Sequence, residues 1–398
     1  MKIVIATPIL YEVSSPFNHL FKDIIEGFLN AGHHIIRIVA CEDEHDEGYK
    51  LGIEHENINY IPVIRKKVNH GNIIKRYIFD LHTAIKITNI IKSIKADVLF
   101  EDVGYSSYWV VKSAKKRNMK VISMLQDIWP DNAVQSGLIK KKSLLYNYFE
   151  MWQKLVYRKS DKLICISDDM KKFIESKGID KNKISVIYNW GYSDETVDIS
   201  WNDNLFVKKY NLNQEKFYVV YAGNIGRMQN VEIIIKAAEK LSSNKHIQFL
   251  IIGDGANKKV LEQSIHEKKI NNVIMLPFQD STLAPSIYSV AGVNIIPLVK
   301  GGIQTALPSK TGVILSCGKP VVFCFDRTSS FTSMCNQYDL CYCVSSTDED
   351  ELVDVINELS TRRDDLINIG ARDIYKSLFV RTENIKKYVE LLNDFNGS

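Results

Sequence analysis

Residues 217–241, FYVVYAGNIGRMQNVEIIIKAAEKL, constrain the fold most tightly, because an apolar strand, a glycine-punctuated turn and an amphipathic helix follow one another without a break. Phe217 to Tyr221 are aromatic or β-branched, which suits a strand covered on both faces. Gly223 and Gly226 mark the turn. Val231, Ile234, Ile235, Ala238 and Leu241 recur at helical spacing, so one face of the helix must pack on a sheet. The alternation then repeats. A strand over Gln248 to Gly253 leads through Asp254-Gly255 to a helix with Val260, Leu261 and Ile265. The strand Val273 to Phe278, a helix around Pro285 to Val290 and the strand Val293 to Leu298 follow. Strands and helices alternating at this length predict an α/β domain with a parallel, doubly wound, Rossmann-like sheet and right-handed crossovers.

The N-terminal half has the same pattern in different residues. Lys2 to Ala6 reads as a strand, and the loop TPILYEVSSPFN leads to a helix over His19 to Asn30 that ends at Ala31-Gly32, a C-cap. Further strands are expected at Ile35 to Ala40, Asp97 to Phe100, Lys120 to Leu125, Lys162 to Ile166 and Lys183 to Ile187. A chain of 398 residues is then two such domains. The polar stretch Asn189 to Asp203 is the expected linker, ahead of a helix over Asn204 to Tyr210. The final helix, about Arg381 to Phe395, is placed to cross back onto the first domain.

Two turns carry the chemistry. In LPSKTGVILSCGKPVV (Leu307 to Val322) a Pro-Ser-Lys turn opens an apolar helix that ends at Cys-Gly-Lys-Pro and runs into a strand. Free N–H groups at a helix start, together with the Lys310 ammonium, suit an anionic ligand such as a pyrophosphate, although Pro-Ser also serves as a plain helix start. The second turn places Arg227 after the strand Phe217 to Tyr221, at the strand end where open α/β sheets bind ligands. Its glycines alone are weak evidence, since such residues often serve only the chain reversal.

With GNIGR, the IGDG turn at Ile252 to Gly255 followed by Leu261-Glu262, and CGKPVV in this order, the chain resembles the retaining family 4 glycosyltransferases of the GT-B fold. QDIWPDNAVQSGLI (Gln126 to Ile139), ISDDM (Ile166 to Met170) and IYNW (Ile187 to Trp190) are similar to bacterial members that extend capsule, O-antigen or exopolysaccharide units. Transferases of N-acetylated or deoxy-amino sugars are among them. The resemblance implies an acceptor-side domain over 1–195, with the helix of about 381–398 packed back on it, and a donor-binding domain over 205–378, the two facing a cleft.

What it implies chemically is transfer of a sugar from a nucleotide-diphosphate donor, expected to be UDP-linked, to a lipid-linked glycan. Negative charge builds on the departing pyrophosphate, and Arg227 and Lys310 supply fixed positive charge there. The helix after LPSK is expected to add its dipole. In relatives the β-phosphate itself helps deprotonate the acceptor hydroxyl on the same face, giving retention with no metal and no cofactor. Donor binding is expected of Gly223, Asn224, Gly226, Arg227, Phe278, Thr305, Ser309 and Lys310, with Arg227, Lys310 and Asp127 as catalytic residues. Asp102, Asp127, Ser14 and Ser15 fall on the acceptor side. Asp127 either orients a hydroxyl or accepts backbone hydrogen bonds, and Ser14 and Ser15 either touch the acceptor or cap the next helix.

The chain also departs from the family pattern. Many relatives hold the donor with two glutamates that seven residues separate; here Thr305 and Val313 stand in those places. Gln126 replaces a frequent His, and Asn230 a frequent Lys. A non-catalytic partner of another transferase therefore stays open as an alternative, as does a sugar-nucleotide epimerase on the same fold.

Other clusters read more plainly. Asp348-Glu349-Asp350 mimics an acidic metal motif but opens a helix with Leu352, Val355 and Leu359, where the dipole favours acids. The histidines lack the paired spacing of a metal site, and an odd number of Cys, 7 without CxxC, suggests reduced thiols, with Cys341 and Cys343 read as core. Residues 1–60 hold 4 Lys/Arg against 10 Asp/Glu, whereas residues 61–183 hold 25 against 12. Arg65-Lys66-Lys67, Lys75-Arg76, Lys115-Lys116-Arg117 and Lys140-Lys141-Lys142 alternate with apolar residues. That pattern suits an anionic membrane surface, and it also suits simple solubility. No nucleic-acid motif accompanies it. No run is long enough to span a bilayer, and the first strand leaves no room for a signal peptide, so a cytoplasmic protein held peripherally on the inner face of the membrane, alongside other polysaccharide-assembly transferases, is expected.

Overall fold

The computed structural model describes residues 1–10, 17–45, 47–67, 73–104, 106–197, 199–362 and 369–395. Two compact units emerge. Unit 1 comprises Met1–Asp131, Ile139–Tyr188 and Thr382–Ser398; unit 2 comprises Asn132–Leu138 and Asn189–Arg381.

Unit 1 contains β1 (Lys2–Leu10), β2 (His34–Cys41), β3 (Ile58–Ile64), β4 (Val98–Asp102), β5 (Lys120–Leu125), β6 (Lys162–Cys165) and β7 (Ile184–Val186). All neighbours pair in parallel, in the order β3-β2-β1-β4-β5-β6-β7. The central strands are continuous apolar runs, with Ile3, Val4, Ile5, Val98, Leu99 and Phe100 at most 1% exposed, as a sheet covered on both faces requires. Unit 2 contains β8 (Phe217–Ala222), β9 (Ile247–Ile252), β10 (Val273–Leu276), β11 (Val293–Pro297), β12 (Val321–Phe325) and β13 (Cys341–Ser345), all parallel, in the order β10-β9-β8-β11-β12-β13. Both sheets are doubly wound, and both reverse direction next to their first strand. The Rossmann-like pair read from the alternation is what the chain forms.

Three local departures have physical reasons. β1 runs on to Leu10 where a loop was expected from Thr7, because Leu10 resumes pairing with Ala40 after a register shift. β3, which pairs with β2 at one edge of the sheet, was not expected; INYIPVI carries a proline and a mixed burial pattern, so its periodicity is weak. The helix expected from Asn204 begins at Leu205, with Asn204 as its N-cap, accepting from Phe206 N and Val207 N.

The C-terminal helix Arg381–Asn393 packs within unit 1. Asn384, Tyr388 and Leu392 are buried at a spacing of four, and Tyr388 lies 5.9 Å from Phe100, ring to ring. The helix Asn18–Asn30 meets it closely, since a Cβ on Gly27 would sit 2.4 Å from Ile385 Cγ2.

Candidate functional site

Unit 2 reverses its strand order between β8 and β11, and the crevice beyond the carboxyl ends of such strands is where open α/β sheets bind ligands. The turn 223–230 leaves β8 there, and the segment 298–310 leaves β11. The β8 turn is packed tightly on the turn that follows β9: Gly223 N donates to Ile252 O at 2.9 Å, and Ile225 N to Asp254 O at 2.7 Å. Gly223 and Gly253 have φ of +147° and +148°, and a Cβ on Gly253 would fall 1.9 Å from Gly223 O. Only glycine permits that backbone and that approach.

Lys310 reaches across the crevice to this turn. Its Nζ donates to Ala222 O at 3.0 Å and stands 3.6 Å from the centroid of the Tyr221 ring. A Cβ on Gly223 would lie 3.1 Å from that Nζ, so the missing side chain is what admits the ammonium. Desolvation pulls the Lys310 pKa down to about 7. Arg227 is exposed and forms no ion pair among the described residues. Unit 2 thus has one cation already tethered at the strand ends and another exposed to solvent.

The other donor-side candidates divide. Asn224 is exposed, its amide 3.5 Å from Gln229 Oε1, and Gly226 lies in the same turn. Ser309 is partly exposed beside Lys310, and Phe278 is 63% exposed beyond the end of β10. Thr305 is fully buried. Its hydroxyl donates to Gly302 O at 3.2 Å and bonds Gln135 Oε1, whose Nε2 donates to Gly301 O at 2.6 Å; Gly301 N in turn donates to Asp326 Oδ2 at 2.7 Å. Thr305 is therefore a brace for the segment after β11. Val313 is likewise buried, and Asn230 Nδ2 donates to Ser346 O at 2.7 Å, a structural bond. The helix after LPSK spans only Thr311–Ser316, with Thr311 N and Oγ1 both turned to Pro308 O. So short a helix adds little dipole, and the charge at this turn is that of Lys310.

In unit 1, Asp102 ends β4, and Asp127 follows the adjacent β5. Burial raises Asp102 to about 7, assisted by the Asp127 charge, and burial raises Asp127 to about 6. Asp127 remains open to solvent on one side, so its carboxyl is accessible though the surrounding protein is dense. Glu101, on the opposite face of β4, is fully buried and pushed well above the carboxylate range by desolvation. Ser14 and Ser15 lie outside the described residues.

Sequence reasoning missed Tyr221, Gly253 and Gln135. Tyr221 sits in an apolar run and reads as core, and nothing local announces that its ring faces an ammonium. Among the described residues no group of three or more His, Cys, Asp or Glu is placed to hold a metal. Asp348 instead caps the helix Glu349–Thr361 through Glu351 N, and Asp350 pairs with Lys240 at 2.6 Å.

Comparison with known proteins agrees with this architecture. Residues 19–190 match the family model described as Glycosyltransferase Family 4, and residues 202–372 match Glycosyl transferases group 1. The chain is 24% identical over 277 residues to Pseudomonas aeruginosa WbjE, named a probable glycosyltransferase, covering 68% of this chain and 66% of that protein. It is 25% identical over 245 residues to Escherichia coli K12 WcaI, provisionally named a colanic acid biosynthesis glycosyl transferase, covering 60% and 57%. The alignments thus span less than two thirds of either curated relative's length, 66% of WbjE and 57% of WcaI. Among solved structures, Anabaena Alr3699/HepE in complex with UDP and glucose superposes with a TM-score of 0.72 at 15% identity, covering 99% of this chain and 100% of that one.

Proposed function

We propose that this chain, which belongs to the family 4 glycosyltransferases of the GT-B fold, transfers a sugar from a nucleotide-diphosphate donor to a lipid-linked glycan acceptor with retention of configuration and without a metal. The observation that carries the reading is the pair of cations at the β8/β11 reversal, Lys310 tethered to Ala222 O and Arg227 unpaired. In the reaction the bond from the anomeric carbon to the β-phosphate oxygen breaks, and charge accumulates on the leaving pyrophosphate. Lys310 is positioned in advance where it stabilises that charge in a desolvated setting, and the exposed Arg227 side chain meets it from the β8 turn. The acceptor oxygen bonds the anomeric carbon on the face the phosphate leaves, and its proton passes to the departing β-phosphate. Asp127, accessible and half-ionised near pH 6, orients the acceptor.

UDP is the expected nucleotide, supported by the ligand named for HepE, and surface polysaccharide the expected product class, supported by the name of WcaI. The reading includes work at an anionic membrane surface; no helix among the described residues is long and apolar enough to cross a bilayer. One observation favours a second reading, a non-catalytic partner of another transferase: neither Thr305 nor Val313 offers the carboxylate that relatives place on the donor. Incubating the purified chain with a panel of nucleotide sugars and lipid-linked saccharide extract decides. Released nucleoside diphosphate with an extended product supports transfer; tight donor binding without turnover, relieved only by a second transferase, supports the partner.

A further inference from the structure

Half of the large apolar side chains exposed among the described residues stand on three helices of unit 1, Ile73–Ser93, Ser107–Lys116 and Leu144–Lys159. On the last of these Leu144, Tyr148, Met151 and Leu155 follow at intervals of four, three and four, which puts them on one face. That face is turned to water: Leu144 is 91% exposed, Tyr148 41% and Met151 48%. Beside it the three helices are joined by rings. Tyr77 and Tyr148 share a hydrogen bond of 2.9 Å between their hydroxyls; Trp152 lies 6.2 Å from Tyr148, 4.6 Å from Tyr108 and 5.7 Å from Trp109, itself 37% exposed.

Cations frame this stripe. From Lys140 to Lys159 there are 6 Lys or Arg and a single acid, Glu150, which is paired with Lys154 and Lys177. Lys140, Lys141 and Lys142 precede the helix, are exposed and form no ion pair among the described residues, while Arg158 continues the stripe at its other end. Lys112 Nζ stands 5.4 Å from the Trp109 ring. By contrast, Arg65 is buried on Asp80 at 2.5 Å, and Lys115 is paired with Asp161 at 2.8 Å, so those members of the basic runs are not available to a partner.

We infer that the solvent face of the Leu144–Lys159 helix, with Trp109 beside it, is a docking surface for an anionic lipid bilayer, the apolar stripe entering the headgroup region and the flanking cations meeting lipid phosphates. Wet-ended aromatic rings, exposed aliphatic anchors and one-signed charge around them are complementary to that interface. The inference rests on the membrane reading above and assigns it to one face. This face would hold unit 1 at the surface where a lipid-linked acceptor is presented.

The test is sedimentation with vesicles of phosphatidylcholine alone or mixed with phosphatidylglycerol, at two salt concentrations. The parent chain should bind the anionic vesicles and lose them as salt rises. Leu144→Ser with Met151→Ser, and separately Lys140→Glu with Lys141→Glu, should each weaken that binding about tenfold or more while thermal unfolding and donor binding stay unchanged. Val260→Ser with Ile274→Ser, exposed apolar positions of unit 2, should change nothing. Should the parent bind vesicles and the stripe variants bind as well as the parent, this face is wrong while membrane association stands. A parent that binds no vesicle at any composition overturns the membrane reading itself. A dimer seen by light scattering and abolished by the stripe variants gives the face to a second copy and overturns the lipid assignment.

Discussion

Lys310 carries its ammonium 3.6 Å above the ring of Tyr221, a residue 89 positions earlier on the neighbouring strand's end. The contact holds a cation at the sheet's reversal point before any ligand arrives, and the same enclosure makes the charge costly, lowering the pKa to about 7.

Donor binding should therefore take up a proton. A pyrophosphate beside Lys310 favours its charged form, so affinity should be level below pH 7 and fall above it, by at most about tenfold per pH unit. A nucleotide sugar is the ligand to use, because its pyrophosphate stays ionised throughout. Lys310→Arg should bind with no such dependence, since a guanidinium keeps its proton. Calorimetric titrations from pH 6 to 9 read this directly, and a flat profile for the parent would place Lys310 away from the donor.

The same shift affects stability, with the opposite benefit. Unfolded Lys310 regains a pKa near 10.5, so between about 7 and 10.5 the unfolded chain binds more protons and stability rises with pH. Lys310→Met should then raise Tm most at pH 6, the gain shrinking as pH climbs toward 10.5, while Lys310→Met and Arg227→Ala each lower transfer by about 10²–10³. Equal melting of parent and Lys310→Met at every pH would contradict the desolvated charge.

Gly253→Ala tests whether the two glycine turns must touch. Its Cβ would meet Gly223 O at 1.9 Å, so the turns must part, at a cost of about 2–4 kcal/mol and with loss of donor binding. Denaturant unfolding with an unchanged midpoint would show that the crevice is more yielding than its packing implies.

These sites differ in how far the sequence announces them. The sheets were legible because parallel strands such as Val219 to Tyr221 and Phe323 to Phe325 must be continuously apolar, whichever partner they pair with. The placement of Arg227 and Lys310 on turns beyond strand ends was legible because glycine turns and strand ends are local. What was not legible is the long-range part: Gln135 meets Thr305 across 170 positions, and Arg65 is drawn out of a basic run by Asp80. Local charge patterns cannot reveal which lysines are consumed by acids elsewhere in the chain. The helix after LPSK lies where the sequence put it, Thr311–Ser316 ahead of Cys317-Gly318; what was overstated is its dipole, because 6 residues align few peptide units.

Asp102 and Asp127 should be separable by pH. Desolvation by the dense surroundings puts Asp127 at about 6, where Asp102 is still protonated, whereas Asp102 titrates at about 7, desolvation and then the Asp127 charge raising it. If the ionised Asp127 orients the acceptor, kcat/KM should climb with pH through about 6. Asp102→Asn should keep that limb in place, and Asp127→Asn should remove it along with most of the rate. A limb that survives Asp127→Asn and disappears with Asp102→Asn would exchange their roles.

The brace between Thr305 and Gln135 bears on whether the chain is a transferase or a partner of one. Thr305 occupies a position where relatives place a donor-binding glutamate, yet here it is fully buried and its hydroxyl is spent on Gln135 and Gly302. Thr305→Val keeps the shape and removes the hydroxyl, leaving Gln135 Oε1 unpartnered, which should cost about 1–3 kcal/mol of stability. Gln135→Ala should cost a similar amount, and the double variant less than the sum, because both break one interaction. Thr305→Glu would bury a carboxylate with no cation on it and should destabilise more than Thr305→Val. With a fold braced this way, donor affinity should fall in step with stability across the series while the pH dependence set by Lys310 persists. Thermal unfolding and donor titration on the four variants measure both. A Thr305→Glu variant that folds as well as the parent and transfers sugar faster would show that the segment after β11 still accommodates the relatives' carboxylate, and that the parent had lost a catalytic contact rather than exchanged it for a structural one.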